Sequence, residues 1–192
     1  MLDMNIKSTN RFIVRVALFL AIATAAFHLP AAEPPKVGAP TPDFTLNTMD
    51  AKSVTLSAEY AKLPVVLIVL RGWPGYQCPF CTRQVHAFVE RAKDFAGKAR
   101  VLMVYPGPSE NLQSHAGEFL KGKGWSEDFT FVTDPDFTFT KSFGLRWQAP
   151  GETAYPSTFV IDTKGIVQFE KITKGHGGRT TPEEILAALA KL

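Results

Sequence analysis

The sequence feature that most restricts the fold is an unbroken aliphatic run, Val65–Leu70, followed by a glycine- and proline-containing loop and a helical pattern. Apolar, β-branched residues without polar interruption are typical of a strand buried on both faces, as in the centre of an α/β sheet. A second buried strand is predicted at Arg100–Tyr105. Two such strands with a helical segment between them predict a central sheet that helices cover on both faces.

Hydrophobic spacing and capping residues predict the remaining elements. Apolar side chains recur every three or four residues over Pro79–Phe95, which predicts one helix. Ser109 is predicted to cap a helix over Glu110–Lys121, and Thr181–Glu184 is a capping box for the last helix. Further strands are predicted at 44–46, 54–56, 129–133, 157–162 and 166–172, and a short helix at 137–143.

The first 32 residues have the composition of a secretory signal peptide. Arg11 and Arg15 precede the apolar run Val16–Ala26, and small residues follow it. This run is shorter than the roughly 20 apolar residues that cross a bilayer; an uncleaved anchor at residues 11–29 is the alternative. We therefore predict an exported, periplasmic protein with a signal peptide or anchor at 1–32, a Pro-rich linker at 33–42 and one α/β domain at 43–192.

The charge pattern gives no indication of a nucleic-acid partner. The net charge is only +3, and the basic residues form no cluster with interleaved aromatic residues. The basic N-terminal segment accounts for part of this excess, so the predicted domain itself is close to neutral.

The chain has two cysteines, Cys78 and Cys81, in a C-x-x-C motif. A disulfide that closes so small a loop removes little entropy from the unfolded chain, so it stabilises a fold poorly. Two thiols also cannot complete a tetrahedral zinc site without two further ligands. The spacing therefore indicates a bond that forms and breaks during redox chemistry.

The predicted position of the motif suits that chemistry. Cys78 lies at the expected cap of the helix, Pro79 fits the first turn, and Cys81 follows one turn later. Unpaired backbone N–H groups and the positive end of the helix dipole favour a thiolate there, and the thiolate is the nucleophile in disulfide exchange and peroxide attack.

Three stretches of the sequence carry a family resemblance. Val69–Gly72 with Cys78–Thr82 resembles an R-G-x-W-C-P-Y-C segment, and Gly38–Leu46 resembles the opening segment of the same proteins. Tyr155–Asp162 resembles the segment that carries a cis-proline facing the cysteines. The chain is thus similar to peroxiredoxin-like proteins of the alkyl hydroperoxide reductase/thiol-specific antioxidant (redoxin) family in the thioredoxin superfamily.

The resemblance implies a fold, an activity and a set of partners. It implies a thioredoxin-like α/β fold, with a central mixed sheet flanked by helices and an N-terminal β-hairpin extension. It implies an oxidoreductase that acts on thiol/disulfide groups or peroxides and needs no cofactor or metal. The partners it implies are protein or small-molecule disulfides, hydroperoxides, and an unidentified thiol electron donor.

The sequence also departs from the peroxiredoxin pattern P-x-x-x-[T/S]-x-x-C. Pro74 takes the proline position and Cys81 the position of the peroxide-attacking cysteine, but Cys78 stands where the pattern has Thr or Ser. The arginine that follows in the family would fall near Pro156. Because peroxide cleavage needs hydrogen bonds to the departing oxygen, these losses weigh against efficient peroxidase activity.

The thioredoxin and peroxiredoxin analogies assign the cysteines differently. In the first, Cys78 is the exposed attacking residue and Cys81 the buried resolving thiol; in the second the roles are reversed. We predict a thiol-disulfide oxidoreductase with antioxidant character that cycles a Cys78–Cys81 disulfide. The first alternative is a thiol-dependent peroxidase that reduces hydroperoxides through Cys81. A copper carrier that uses both cysteines and His176 is the second.

Residues around the motif are predicted to support the site. A cis peptide bond before Pro156 would shape the substrate groove and keep backbone groups available beside the sulfurs. Trp73 or Tyr76 would line the mouth of the site, in the loop that also holds Pro74. Arg71 would pair with a carboxylate or raise the thiolate fraction electrostatically.

Overall fold

The computed structural model describes residues 32–126 and 128–192, so the predicted signal peptide or anchor lies outside the described residues. Within this part, seven strands form one mixed sheet in the order β2-β1-β5-β4-β3-β6-β7. The strands are β1 Thr45–Thr48, β2 Ser53–Thr55, β3 Val65–Val69, β4 Arg100–Gly107, β5 Phe129–Pro135, β6 Ser157–Ile161 and β7 Val167–Ile172.

Helices cover both faces of this sheet, as predicted. They are α1 Leu56–Tyr60, α2 Pro79–Glu90, α3 Ala92–Phe95, α4 Leu112–Leu120, α5 Thr138–Ser142 and α6 Pro182–Leu189. Residues from α2, α3, α4 and α6 pack in the core on one face, and residues from α1 and α5 pack on the other. The antiparallel β1–β2 hairpin adds to the sheet through β5, which confirms the predicted N-terminal hairpin.

The pairing of the central strand β3 brings together the loop that follows it and the segment that precedes β6. All five of its residues are buried, and it pairs in parallel with β4 and antiparallel with β6. Because β6 runs in the opposite direction, its first residue, Ser157, lies opposite Val69 at the end of β3. The loop after β3 and the segment before β6 therefore meet at the same end of the sheet.

The prediction of one helix over Pro79–Phe95 is wrong. The helix breaks at Arg91, whose φ of −104° and ψ of 14° separate α2 from α3. Phe88 and Phe95 nevertheless stack with ring centroids 5.5 Å apart in the same core. The hydrophobic spacing continues across the break because both helices bury their apolar sides against the same face of the sheet.

The predicted cap of α4 is also wrong, whereas that of α6 is present. Asn111, with a left-handed φ of 56°, precedes α4, and no side chain caps this helix. The N–H of Ser109 instead donates to Asp136 Oδ1 (2.9 Å), which holds it in the preceding loop. At α6 the Thr181 hydroxyl accepts from the N–H of Glu184 (3.3 Å).

The proline-rich segment at 33–42 lies along the outer edge of β7. The N–H of Gly38 donates to the carbonyl of Val167 (2.8 Å), and the N–H of Val167 donates to the carbonyl of Ala39 (3.0 Å). Prolines cannot continue a ladder of hydrogen bonds, so this segment covers a sheet edge without extending it. Among the described residues, no helix has the length and apolar character needed to cross a membrane.

Candidate redox-active site

The two cysteines lie at the start of α2, as predicted. Cys78 is the N-cap residue in an extended conformation, Pro79 occupies the first helical position, and Cys81 follows within the first turn. Both are free thiols and both are buried. Cys78 is not exposed as the thioredoxin analogy implies: it is 1% accessible, and the guanidinium of Arg179 lies against its sulfur.

The surroundings of the two sulfurs separate their pKa values. The hydrogen bond with Cys81 lowers the pKa of Cys78 to about 5, and the positive charge of Arg179 acts in the same direction. Burial raises the pKa of Cys81 well above its ordinary value, and its bond to Cys78 adds to this effect. At neutral pH the pair therefore holds a thiolate at Cys78 and a protonated thiol at Cys81.

Arg179 is the site residue that sequence reasoning missed. Its Nη2 lies 3.9 Å from Cys78 Sγ, its Nη1 donates to Gln84 Oε1 (3.1 Å), and its Nε donates to the carbonyl of His176 (3.0 Å). It belongs to the glycine-rich segment Lys174–Arg179. This segment has no repeating pattern of apolar residues from which the orientation of a side chain could be predicted. The only sign of its role in the sequence is that it is a basic residue in a loop shortly before the last helix.

Arg71 follows β3 directly and is almost completely buried, with 3% of its surface accessible. Its Nε donates to Glu152 Oε2 (2.6 Å), its Nη1 to the hydroxyl oxygen of Tyr76 (2.5 Å) and its Nη2 to the carbonyl of Gly151 (2.8 Å). The predicted pairing with a carboxylate is present. The alternative, that Arg71 raises the thiolate fraction electrostatically, stays a prediction.

Glu152 connects Arg71 to the loop that carries Arg179. Its second carboxylate oxygen lies 2.9 Å from Nε2 of His176. Burial opposes ionisation of Glu152, but hydrogen bonds from Arg71 and His176 hold the pKa of its carboxyl below the ordinary value. His176, which the copper-carrier alternative required, thus bonds to a carboxylate. The described residues contain no group of three His, Cys, Asp or Glu side chains that could hold a metal ion.

The two aromatic residues of the loop between Arg71 and the cysteines, Trp73 and Tyr76, lie in different surroundings. Trp73 stacks on His115 with ring centroids 3.7 Å apart, and Gln77 Nε2 donates to the carbonyl of His115 (2.8 Å). These contacts fix the loop to the start of α4. Tyr76 is 48% exposed and Pro74 is partly exposed, so Tyr76 is the aromatic residue of this loop that lies at the surface beside the site.

The cis peptide bond predicted before Pro156 is wrong, since the described residues contain no cis peptide bond. The N–H of Tyr155 donates to the carbonyl of Leu145 (2.9 Å), and the carbonyl of Pro156 accepts from the N–H of Thr173 (2.8 Å). These bonds lead the chain into β6. Pro156 is buried at the end of the sheet where β3 also ends.

Two cavities lie near the elements that carry the site. The larger, about 610 Å³, lies between α6 and the α2–α3 break and contains neither cysteine, so it is not part of this site. The smaller, about 230 Å³, adjoins Cys78 through Arg179, and we call it the Arg83 cavity. Its lining includes Phe80, Arg83, Gln84, Gly178, Arg179 and Thr181.

Several known proteins are similar to this chain in sequence. Peroxiredoxin Q, chloroplastic, from Triticum aestivum is 30% identical over 132 residues, which cover 69% of this chain and 57% of that protein. Peroxiredoxin 2 from Thermoplasma acidophilum is 30% identical over 153 residues, covering 78% of this chain and 72% of that protein. The chain therefore spans little more than half the length of the plant relative.

The fold is shared with solved structures of low sequence identity. Peroxidoxin BcpB from Mycobacterium tuberculosis superposes with a TM-score of 0.63 at 24% identity, over 82% of this chain and 98% of that one. A peroxiredoxin-like protein from Aquifex aeolicus gives 0.65 at 18% identity, over 82% and 88%. These matches confirm the predicted thioredoxin-like fold.

The family model described as Redoxin matches residues 36–189, which include the strands, the cysteine motif and the segment of Arg179. This match and the relative from Thermoplasma acidophilum agree with the resemblance of the three sequence segments. The chain belongs to the redoxin family, as a peroxiredoxin-like protein of the thioredoxin superfamily.

Proposed function

We propose that this protein is a thiol-dependent antioxidant oxidoreductase that reduces hydroperoxides, with Cys78 as the attacking thiolate and Cys81 as the resolving thiol. The observation that carries the proposal is the asymmetry of the pair: the pKa of Cys78 is lowered to about 5, whereas that of buried Cys81 is raised. Similarity to proteins named peroxiredoxin supports a hydroperoxide as the oxidant.

In the first step, the thiolate of Cys78 attacks the terminal oxygen of the hydroperoxide. The O–O bond breaks, Cys78 becomes a sulfenic acid, and the departing oxygen takes up a proton to leave as an alcohol or water. Arg179, 3.9 Å from the sulfur, supplies positive charge where the leaving oxygen becomes negative. It thereby takes over part of the role of the hydroxyl and the arginine that the sequence lacks.

In the second step, the sulfur of Cys81 attacks the sulfur of the Cys78 sulfenic acid. A disulfide forms, and the hydroxyl of the sulfenic acid leaves with the Cys81 proton as water. The cysteines occupy the cap and first turn of one helix, so they can reach each other across three positions. Two equivalents of a thiol donor then restore the dithiol and are themselves oxidised to a disulfide.

The test is the oxidation of reduced protein by hydrogen peroxide in stopped flow, together with trapping of the sulfenic acid. The Cys81→Ser variant should form one trapped sulfenic acid at residue 78, because its resolving thiol is absent. The Cys78→Ser variant should form none. Trapping at Cys81 alone would reverse the two roles, and wild-type oxidation at the rate of free cysteine would exclude the peroxidase.

A second candidate is disulfide exchange with other proteins. It is favoured by the C-x-x-C motif at the start of α2 with a lowered pKa at its first cysteine. In that reaction Cys78 attacks a substrate disulfide, and Cys81 then releases the reduced substrate from the mixed disulfide. Rapid reduction of insulin together with slow oxidation by peroxide would select this candidate over the peroxidase.

The location of the protein is part of the proposal. The basic and apolar pattern of the N-terminal 32 residues supports export to the periplasm. Cell fractionation followed by N-terminal sequencing of the mature protein tests it. A soluble periplasmic product that lacks the N-terminal segment agrees with a cleaved signal peptide, a full-length product in the membrane fraction indicates the anchor, and a cytoplasmic product contradicts export.

A further inference from the structure

The Arg83 cavity lies on the side of Cys78 where Arg179 approaches the sulfur. Residues from the first turns of α2 form one wall, and the segment from Gly177 to Thr181 forms the other. Its volume of about 230 Å³ is below the roughly 300–1,000 Å³ of sites for drug-sized ligands. The cavity therefore suits one end of a small reactant.

The protein balances part of the charge at this cavity, because Arg179 faces the Cys78 thiolate, whereas Arg83 forms no ion pair with a described carboxylate. Of the six described arginines, Arg71, Arg91 and Arg100 form ion pairs with carboxylates, whereas Arg83, Arg146 and Arg179 do not. The guanidinium of Arg83 lies over the ring of Phe80, 4.6 Å from its centroid, and is exposed to solvent. Both guanidinium groups line the same cavity, so a bound anion would be attracted to both, and Arg83 has no competing carboxylate partner.

Hydrogen-bond donors in the cavity remain available for such an anion. Nη1 and Nη2 of Arg179 each carry two protons and each contact a single partner, Gln84 and Cys78. A carboxylate matches this set, because the guanidinium presents two parallel donors to its two oxygens.

We propose that the Arg83 cavity binds the carboxylate of a small anionic reactant and holds its reactive end at Cys78. The inference rests on the proposed function and specifies its substrate class. The carboxylate is carried by the hydroperoxide that oxidises Cys78, by the thiol that reduces the disulfide, or by both. The reactions themselves are unchanged: the hydroperoxide oxidises Cys78 to a sulfenic acid, Cys81 converts it to a disulfide with release of water, and two thiols reduce that disulfide.

The experiment compares matched neutral and anionic reactants. In the oxidation arm, cumene hydroperoxide is compared with its para-carboxylate derivative; in the reduction arm, 2-mercaptoethanol is compared with 3-mercaptopropionate, with rates expressed per thiolate. The rate with the neutral member of each pair reports the thiol chemistry of every variant, so a change confined to the anionic member isolates the effect of charge in the cavity. The variants are Arg83→Gln and Arg83→Glu, and the control is Lys93→Gln, which removes an equal charge from exposed Lys93 on α3.

The wild type should react about threefold to tenfold faster with the anionic member of a pair, and the preference should shrink at high salt. Arg83→Gln should remove the preference, Arg83→Glu should reverse it, and Lys93→Gln should keep it. A preference in the oxidation arm alone identifies the hydroperoxide as the source of the carboxylate, and one in the reduction arm alone identifies the thiol.

Two results overturn the inference and leave the proposed function standing: equal rates for neutral and anionic reactants in both arms, or an equal loss of preference in Lys93→Gln and Arg83→Gln. A wild type that reacts with no hydroperoxide faster than free cysteine does, and whose disulfide no thiol reduces, would overturn the proposed function and the inference together.

Discussion

A guanidinium nitrogen of Arg179 lies 3.9 Å from the sulfur of Cys78, although 101 residues separate them in the chain. The contact joins the loop after β7 to the start of α2. The antiparallel pairing of β3 with β6, and of β6 with β7, carries the two segments to the same end of the sheet. The reactivity of a local four-residue motif thus depends on the far half of the domain.

The pH dependence of alkylation should reveal the low pKa of Cys78. Because hydrogen bonding and positive charge lower this pKa to about 5, the thiolate is present above pH 5 and lost below it. The rate of reaction with iodoacetamide should therefore rise with a midpoint near pH 5 in the native protein. In denaturant the midpoint should move to about 8.5, the value of a free thiol. A native midpoint above pH 8 would contradict the assignment.

Removal of the groups that face Cys78 should raise its pKa. Cys81→Ala should raise it most, because the hydrogen bond with Cys81 is its largest cause, and Arg179→Gln should raise it less. At pH 6 the alkylation rate of Arg179→Gln should fall about threefold to tenfold, since the thiolate fraction falls, and Arg179→Lys should recover part of the rate. The same alkylation profile measures all three variants, and unchanged midpoints would show that neither group acts on the thiol.

Glu152→Gln should destabilise the fold, because it leaves the buried charge of Arg71 without its carboxylate. The expected loss in the free energy of unfolding is about 3 kcal/mol, measured by urea denaturation. Glu118→Gln is the matched control: this exposed carboxylate pairs only with His115 at 3.8 Å, so its loss should cost less than about 0.5 kcal/mol. Similar losses in both variants would mean that the Arg71–Glu152 pair has no special role.

Gly72→Ala should destabilise the loop that leads to the cysteines. Gly72 has a φ of +73°, and a Cβ there would lie 1.9 Å from the carbonyl oxygen of Pro106. Left-handed strain and this overlap together should cost about 3 kcal/mol in the free energy of unfolding. Gly175→Ala, where the added carbon meets open space, is the control and should change the stability little. Equal thermal melting of the two variants would contradict the close approach.

The parts of the fold that sequence patterns predicted are those set by neighbouring residues. β3 was recognisable from an unbroken aliphatic run, the start of α2 from the motif Cys78–Cys81, and the α6 cap from Thr181. In each case, the residues whose pattern predicts the element lie within that element or directly before it in the chain. For that reason the sequence alone predicts the central strands, most of the helices and the position of the two thiols.

The features that sequence patterns missed depend on distant partners. Ser109 does not cap a helix because Asp136 holds its N–H, and the trans bond before Pro156 accompanies a hydrogen bond to Thr173. Arg179 is the clearest case, since its side chain is directed by Gln84 and by the backbone of its own loop. An arginine in a loop lies in no repeating hydrophobic pattern, so the sequence does not predict which way its side chain points. Its role can be seen only in the tertiary structure.

The distance in sequence between Cys78 and Arg179 has a consequence for the newly made chain. During synthesis Cys78 is added to the chain 101 residues before Arg179, and any unfolded form of the complete chain likewise lacks the contact. In both situations the two thiols have the weak nucleophilicity of cysteines in any unstructured peptide. Folding therefore creates the surroundings that keep Cys78 ionised at neutral pH, whereas the unfolded chain holds mostly protonated thiols.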